Sequence, residues 1–518
     1  MRGNWNAAAN GLWSPLYPLL LGAALSFVKP SASWEFPLVH VVGFIIYIGA
    51  IFSFDFLWSE FGRALRERST SKRRRWVVFP DRSWMVIGYC LFLWVSLLMI
   101  RVTDESPDML VAMAVYAACA LLMRITDGRA RIGTFVVLGV VLGLGYLAKT
   151  ILFPLSLVFL VVAAVGTYKQ QQSLARPLVA FVVFLVIASP LLCILSRAKG
   201  RFTFGDSGTI NYLWHVEGVP RTYWQGNYPG SGAPIHPPRL ILANPAVYEF
   251  AAPFAVTFSP WYDPSYWYEG MHLHFDFKKQ IRALAEGVGI YHGLFFKPGA
   301  VLIAISLILL LVGGSLRDAL GRWDLLMPAL AGLGAYALVH VEARYVGSFI
   351  LVFWGAVLSQ VRVPESELAV RLLRFSTLAI AIIYSVELCA GTYATAVDEK
   401  EVTAEMQESQ QLAQGIREAG LRSGDRSAII GGISGMIWAR LAKTQIVANL
   451  PDDKDFWSQA PDARSKALSA LASTGARVVV AEAVPAWAAT AGWMRIGQTD
   501  FYVHALSPAA TADPTQRK

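Results

Sequence analysis

The stretch LVHVEARYVGSFIL, Leu338–Leu351, decides how the chain is read. It lies in a long apolar region, yet His340, Glu342, Arg344 and Tyr345 arrive within six positions. A carboxylate and a guanidinium are costly in hydrocarbon, and there they mark either a functional site or a pairing that offsets the cost. Which applies depends on whether the surroundings are a membrane domain and which other charges share that face.

The 518 residues are 55% hydrophobic and only 16% charged, and the mean hydropathy is +0.46. Ten apolar runs recur, at roughly 37–59, 83–102, 109–123, 132–148, 151–167, 177–196, 298–313, 325–341, 346–361 and 375–396. A helix needs about 20 residues to cross a bilayer. The fold class is therefore mostly α, a polytopic transmembrane helix bundle. The net charge of +9 speaks to membrane orientation, and no nucleic-acid-binding motif is visible. Cys90, Cys119, Cys193 and Cys389 all fall inside apolar runs, with no metal-ligand spacing, and read as packing residues. No metal site is expected, no cofactor is certain, and divalent-metal dependence stays open.

The loops set the orientation. GRALRERSTSKRRRW carries Arg63, Arg66, Arg68, Lys72, Arg73, Arg74 and Arg75 against Glu67, so it is placed in the cytoplasm. Alternation then puts 124–131, 169–177, 315–324 and 362–374 on the same side, each with at least two basic residues. The opposite face, external or periplasmic, receives TDESPD (103–108), AKT (148–150), a loop over 197–297, EARY (342–345) and the tail. The run 12–28 contains Pro15 and Pro18 and reads as a surface or re-entrant helix. Trp5, Trp13, Tyr17 and Trp34 suit an interfacial belt.

Two domains are expected, 1–396 in the membrane and 397–518 outside it. The tail holds 14 acids and 13 bases. Helices over about 400–420, 434–442 and 462–474 alternate with strands in SAIIGG, TQIVANL, ARVVVAEA and TDFYVHAL, the pattern of a small α/β domain with a parallel sheet. GGISG (431–435) follows a strand but lacks dinucleotide spacing and a P-loop lysine.

Candidate chemistry gathers on the external face. Asp104, Glu105 and Asp108 stand at a helix start, where acids either cap free N–H groups or act on an acceptor. Lys149 lies between two apolar runs, where an ammonium suits a lipid phosphate at headgroup level. Arg344 offers a planar fork for phosphate, with Tyr345 beside it. Glu342 and Tyr345 are candidates for the same lipid-phosphate site, and pairing with Arg344 or Lys149 as plain structural support is the alternative use of Glu342. The 197–297 loop is dense in aromatics, and His215, Trp224, His236, Trp261, Tyr262, Asp263 and Tyr266 are candidates for sugar or acceptor binding; membrane anchoring is the alternative use of such rings. GDSG (205–208) evokes a serine-protease nucleophile, but that chemistry needs a β-barrel context with a general-base histidine and an orienting aspartate, a setting that a helical membrane bundle does not offer.

Three pieces together resemble the GT-C superfamily of polyprenyl-phosphate-dependent glycosyltransferases, which includes protein O-mannosyltransferases and aminoarabinose transferases. They are SPD (106–108), GLGYLAKTILFP (143–154) and EARY (342–345). The resemblance covers about residues 1–396. It implies an inverting transfer of a sugar from a polyprenyl-phosphate carrier to an acceptor, at the external face of a bacterial inner membrane. Asp108 would be the second-loop acid, and Lys149 and Arg344 the phosphate contacts. The family's first span and the acidic motif after it should precede GNWNAAANGLWSPLYPLLL, yet the first acid here is Glu35. The expectation is that sequence upstream of Met1 supplies both. The competing classes are a transporter or lipid flippase, which Glu387 inside the last run would suit, and a non-catalytic membrane scaffold presenting the tail.

Overall fold

The computed structural model describes residues 10–69, 76–226, 230–297, 299–312, 320–432, 436–482 and 484–506. Trp5, the basic run 72–75, part of 315–324 and the end of GGISG lie outside the described residues. The chain forms two compact units, one of 1–218 with 274–394 and one of 219–273 with 395–518. The division differs from a cut at 396, because most of the large loop packs with the tail.

The first unit is a helix bundle, and each of the ten apolar runs lies on a helix. Six helices among the described residues are long and apolar enough to cross a membrane: Ala32–Glu67, Asp81–Met99, Asp108–Thr126, Leu152–Lys169, Ala175–Lys199 and Glu367–Glu418. Phe277–Phe296 and Ala300–Leu309 make a seventh if the pair, bent by 68°, is one span. Phe277–Phe296 was expected as loop; Asp276 caps it by accepting from the Lys278 and Lys279 N–H groups. Three of the ten are shorter, Ile132–Ala148, Trp323–Ala337 and Ala343–Leu358, at 17, 15 and 16 residues. They stop at the turns that carry Lys149 and Glu342. Leu16–Val28, at 13 residues, is also short of a span.

Packing follows from small residues at contact points. A Cβ on Gly139 would meet the Ala180 carbonyl oxygen at 2.4 Å, and one on Gly143 would meet Ile187 at 2.7 Å. These two glycines, one helical turn apart, let Ile132–Ala148 lie against Ala175–Lys199. Elsewhere the core is aromatic: Trp58 stacks on Trp84 at 4.3 Å and donates from Nε1 to its carbonyl at 2.8 Å. A short ladder, β1 (Trp76–Val77) with the later segment Val363–Pro364, joins two of the loops placed on the cytoplasmic side.

The second unit is α/β. Its strands are β2 (Arg239–Ala243), β3 (Ala246–Glu249), then, with Val363–Pro364 counted as β4, β5 (Arg426–Ile430), β6 (Gln445–Leu450), β7 (Val478–Glu482), β8 (Met494–Arg495) and β9 (Phe501–Ala505). The order is β2-β3-β6-β5-β7-β9-β8. β6, β5 and β7 are parallel, as helix–strand alternation predicts. β9 pairs antiparallel to β7, and the hairpin β2–β3 adds antiparallel to β6, so the sheet is mixed rather than parallel throughout. The buried faces are Val, Ile and Ala from β5, β6 and β7, with Leu471 and Phe456 over them.

Candidate active site

At one end of the bundle three chain segments bring charges together. Asp108 opens the helix Asp108–Thr126, whose first free N–H is met by Ser106 Oγ at 3.4 Å. Its carboxylate is therefore not spent on capping; it is buried and accepts from Lys149 Nζ at 2.5 Å. Lys149 stands in an extended conformation just past Ile132–Ala148. Burial pushes its ammonium below the ordinary value, and Asp108 opposes that shift. The ring of Tyr345 lies 3.5 Å from the ammonium, a cation–π contact, and Tyr336 stacks on Tyr345 at 5.3 Å.

Arg344 comes from the first turn of Ala343–Leu358. Its Nε is 2.6 Å from Glu342 and 3.8 Å from Asp108, and its fork donates to the Tyr345 hydroxyl at 3.2 Å. Glu342 also meets His340 Nε2 at 3.1 Å. His340 and Arg344 together hold the Glu342 carboxyl down at about 2. So Asp108, Lys149, Glu342, Arg344 and Tyr345, separated by up to 237 positions in sequence, form one cluster. Glu342 does pair with Arg344, one of the two uses its sequence position allowed.

The turn that bears Lys149 is braced from behind. Thr150 Oγ1 meets Ser14 Oγ at 3.1 Å, Tyr146 donates to the Phe204 carbonyl at 2.9 Å, and Asp206 N–H donates to the Gly11 carbonyl at 2.7 Å. Gly205 has a φ of +138°, and a Cβ there would meet Thr150 at 2.8 Å. GDSG is thus a packed corner beside this turn, with Asp206 tied to Arg201 at 2.7 Å.

The remaining candidates divide. Asp104 pairs with Arg101 at 3.4 Å; Glu105, exposed in the same turn, has its pKa raised by desolvation, with His40 opposing and Asp104 adding to the shift. His215 lies in the first unit and stacks flat on His340, ring centres 3.7 Å apart. The other loop candidates lie in the second unit. There His236 stacks on Tyr266 at 4.0 Å and meets Glu269 at 3.1 Å. Trp224 packs on Tyr268, Tyr262 on Phe254, and Asp263 accepts from Ser265 at 2.5 Å; Trp261 is half-buried. Among the described residues no group of three or more His, Cys, Asp or Glu is gathered as a metal ion would need.

Sequence reasoning passed over His340 and Tyr336 as site residues. His340 stands two positions before Glu342, on the same side of an extended segment, and that spacing was its signal.

No protein-family model matches the sequence, and no curated protein does. Solved structures do match. ArnT from Cupriavidus metallidurans in the apo state aligns with a TM-score of 0.51 at 12% identity, over 98% of this chain and 91% of that one. The same protein bound to undecaprenyl phosphate gives 0.50 at 12%, over 98% and 90%. An oligosaccharyltransferase from Archaeoglobus fulgidus, tethered to an acceptor peptide, gives 0.44 at 11%, over 91% and 61%. The chain has the fold of ArnT, the GT-C fold.

Proposed function

We propose that the protein is an integral membrane glycosyltransferase, moving a sugar from a polyprenyl-phosphate carrier to an acceptor at the external face of the inner membrane. The observation that carries this reading is the convergence of Lys149 and Arg344 on the buried Asp108 at one end of a GT-C bundle. A structural relative is one that binds undecaprenyl phosphate.

In this reading Lys149 and Arg344 hold the lipid phosphate. Tyr345 steadies the ammonium, Glu342 aims the guanidinium, and Asp108 is the counter-ion that the phosphate displaces. Charge grows on the phosphate as the glycosidic bond breaks, so fixed cations lower the barrier most in the transition state. The aromatic groups around His236, Tyr266, Trp224, Trp261, Tyr262 and Asp263 offer stacking faces and polar edges for a sugar or acceptor.

The test is transfer itself. Purified full-length protein is incubated with radiolabelled undecaprenyl-phosphate sugars and membranes that supply acceptors, and label in a new product supports the reading. Lipid moved across vesicles with no glycosidic bond broken would make the chain a flippase. Orientation is tested in a chain freed of its native cysteines. Ser465→Cys should label from outside intact cells and Ser173→Cys should not, and the reverse pattern would remove the site from the external face.

A further inference from the structure

The cluster accounts for a leaving phosphate but not for the proton of the attacking hydroxyl. Its two carboxylates are already committed to cations: Asp108 to Lys149 and Arg344, and Glu342 to Arg344. The side chain beside them built to accept a proton is His340. Its Nε2 is 3.1 Å from Glu342; in a neutral ring a carboxylate there selects the tautomer with the proton on Nε2 and leaves Nδ1 as acceptor.

The ring is held with more care than a bystander needs. It stacks on His215 with planes 10° apart. His215 belongs to a wide turn, Leu213–Glu217, tied down at both ends. Tyr212 donates to Gln280 at 3.0 Å, and Gln280 donates to the Leu338 carbonyl at 2.8 Å, linking that turn to the segment bearing His340. Lys279 donates to the Glu217 carbonyl at 2.8 Å, and the Glu217 side chain accepts from the His274 N–H at 2.8 Å. The groups facing His340 are thus His215, Glu342 with Arg344 behind it, and the edge of Tyr345 at 6.5 Å. A base oriented by a carboxylate, with one nitrogen left open, is the arrangement general-base catalysis requires.

We propose that His340 is the general base of sugar transfer, oriented by Glu342 and stacked on His215; this rests on the glycosyltransferase reading. The acceptor oxygen bonds to the anomeric carbon as the bond from that carbon to the phosphate oxygen breaks. The hydroxyl proton goes to His340 Nδ1. The bonding electrons leave with the phosphate, toward Lys149 and Arg344. Glu342 serves both sides, with one oxygen facing the new imidazolium and the other the guanidinium.

The experiment uses full-length protein in nanodiscs with undecaprenyl phosphate as the binding probe and undecaprenyl-phosphate sugars as donors. His340→Gln should lower kcat by about 10²–10⁴-fold, the usual worth of a general base. Its Kd for undecaprenyl phosphate should stay within about twofold, because the interaction lost belongs to the transition state. The acid limb of the kcat profile should vanish with it, and His340→Ala should recover part of the rate in added imidazole. Wild-type transfer with an unimpaired His340→Gln overturns the base alone. So does a loss that appears only in Kd, or an acid limb that disappears in Glu105→Gln but not in His340→Gln. Wild-type protein that binds undecaprenyl phosphate and transfers no sugar overturns the glycosyltransferase reading and the base together.

Discussion

Replacing Asp108 with Asn should weaken the empty protein and tighten its hold on a lipid phosphate. Asp108 is 3% exposed, with Lys149 Nζ at 2.5 Å and Arg344 Nε at 3.8 Å. Asn keeps the shape and removes the charge, so two cations lose their shared counter-ion. Removing one partner of a buried ion pair costs about 3–5 kcal/mol. Lys149 keeps the Tyr345 ring and some contact with solvent, which places the cost at the lower end, about 3 kcal/mol.

In the proposed reading a phosphate arriving at the wild type displaces Asp108 from Lys149; in the variant that competitor is gone. Part of the lost stability should return as affinity, at a factor of ten for each 1.4 kcal/mol, so undecaprenyl phosphate should bind about tenfold tighter or more. Binding to the folded state alone stabilises by about 2.7 kcal/mol at a hundred times Kd, so the lipid should restore most of what the substitution removed. The assay is thermal unfolding in detergent across graded undecaprenyl phosphate, with Kd measured alongside. If Asp108→Asn is destabilised yet gains no more from the lipid than wild type does, the Asp108–Lys149 pair is a structural strut and phosphate does not replace it.

Arg344→Ala should lower transfer per folded molecule by about 10²-fold or more, as loss of one preorganised electrostatic group does. Arg344→Lys, which keeps charge but not the fork, should fall between; normal specific activity in Arg344→Ala ends the phosphate role. Glu342 has its carboxyl held near 2 against an ordinary value of 4.5. Its stabilising effect is full above about 4.5 and lost as pH falls toward 2, so melting between pH 5 and 2 should decline less steeply in Glu342→Gln. At the other end of the bundle, Glu60→Gln should cost about 3–5 kcal/mol of stability and leave affinity for undecaprenyl phosphate unchanged; a large change in affinity would tie that end to the site.

The helices were legible because apolar runs survive any packing, and the β5, β6 and β7 strands because each is a short apolar stretch flanked by turns and helices. The gathering of Asp108, Lys149 and Arg344 was legible only through alternation of basic loops, which sorts turns by face without local contact. What sequence hid was long-range. The stretch RLILANPAVYE sits in an aromatic loop and shows a turn, but nothing in it names β6, some two hundred positions on, as the partner of β3. The exit from the last apolar run looked like a boundary because charges begin there. The helix nevertheless continues unbroken over Glu367–Glu418, since Ala, Glu, Lys and Gln are good helix formers in water. The flat stack of His215 on His340 rests on two turns far apart in the chain, and no spacing announces it.

The helix Asp108–Thr126 carries a charge cluster at each end, and their difference separates scaffold from site. Over 19 residues it spans about 28 Å, close to the apolar thickness of a bilayer. At its C-terminal end Glu60 takes Arg124 at 2.6 Å and Arg129 at 2.7 Å. Arg322 takes Asp127 at 2.9 Å and Asp324 at 2.6 Å, and Thr126 closes on Asp324. Three cations meet three carboxylates, and the central pair of Arg322 and Asp324 is buried. A balanced set of this kind, centred on a buried pair, serves to lock helices in register, although its rim is open at Arg124, 42% exposed. At the N-terminal end the balance is the same. Asp108 is buried, while Arg344, Glu342 and His340 are each about a third open to solvent. The three short helices end there, each a few residues below the ~20 of a full span. If the cluster holds a lipid phosphate, as proposed, that phosphate exchanges water for two fixed cations and an aromatic ring, while its prenyl chain keeps the bilayer as solvent.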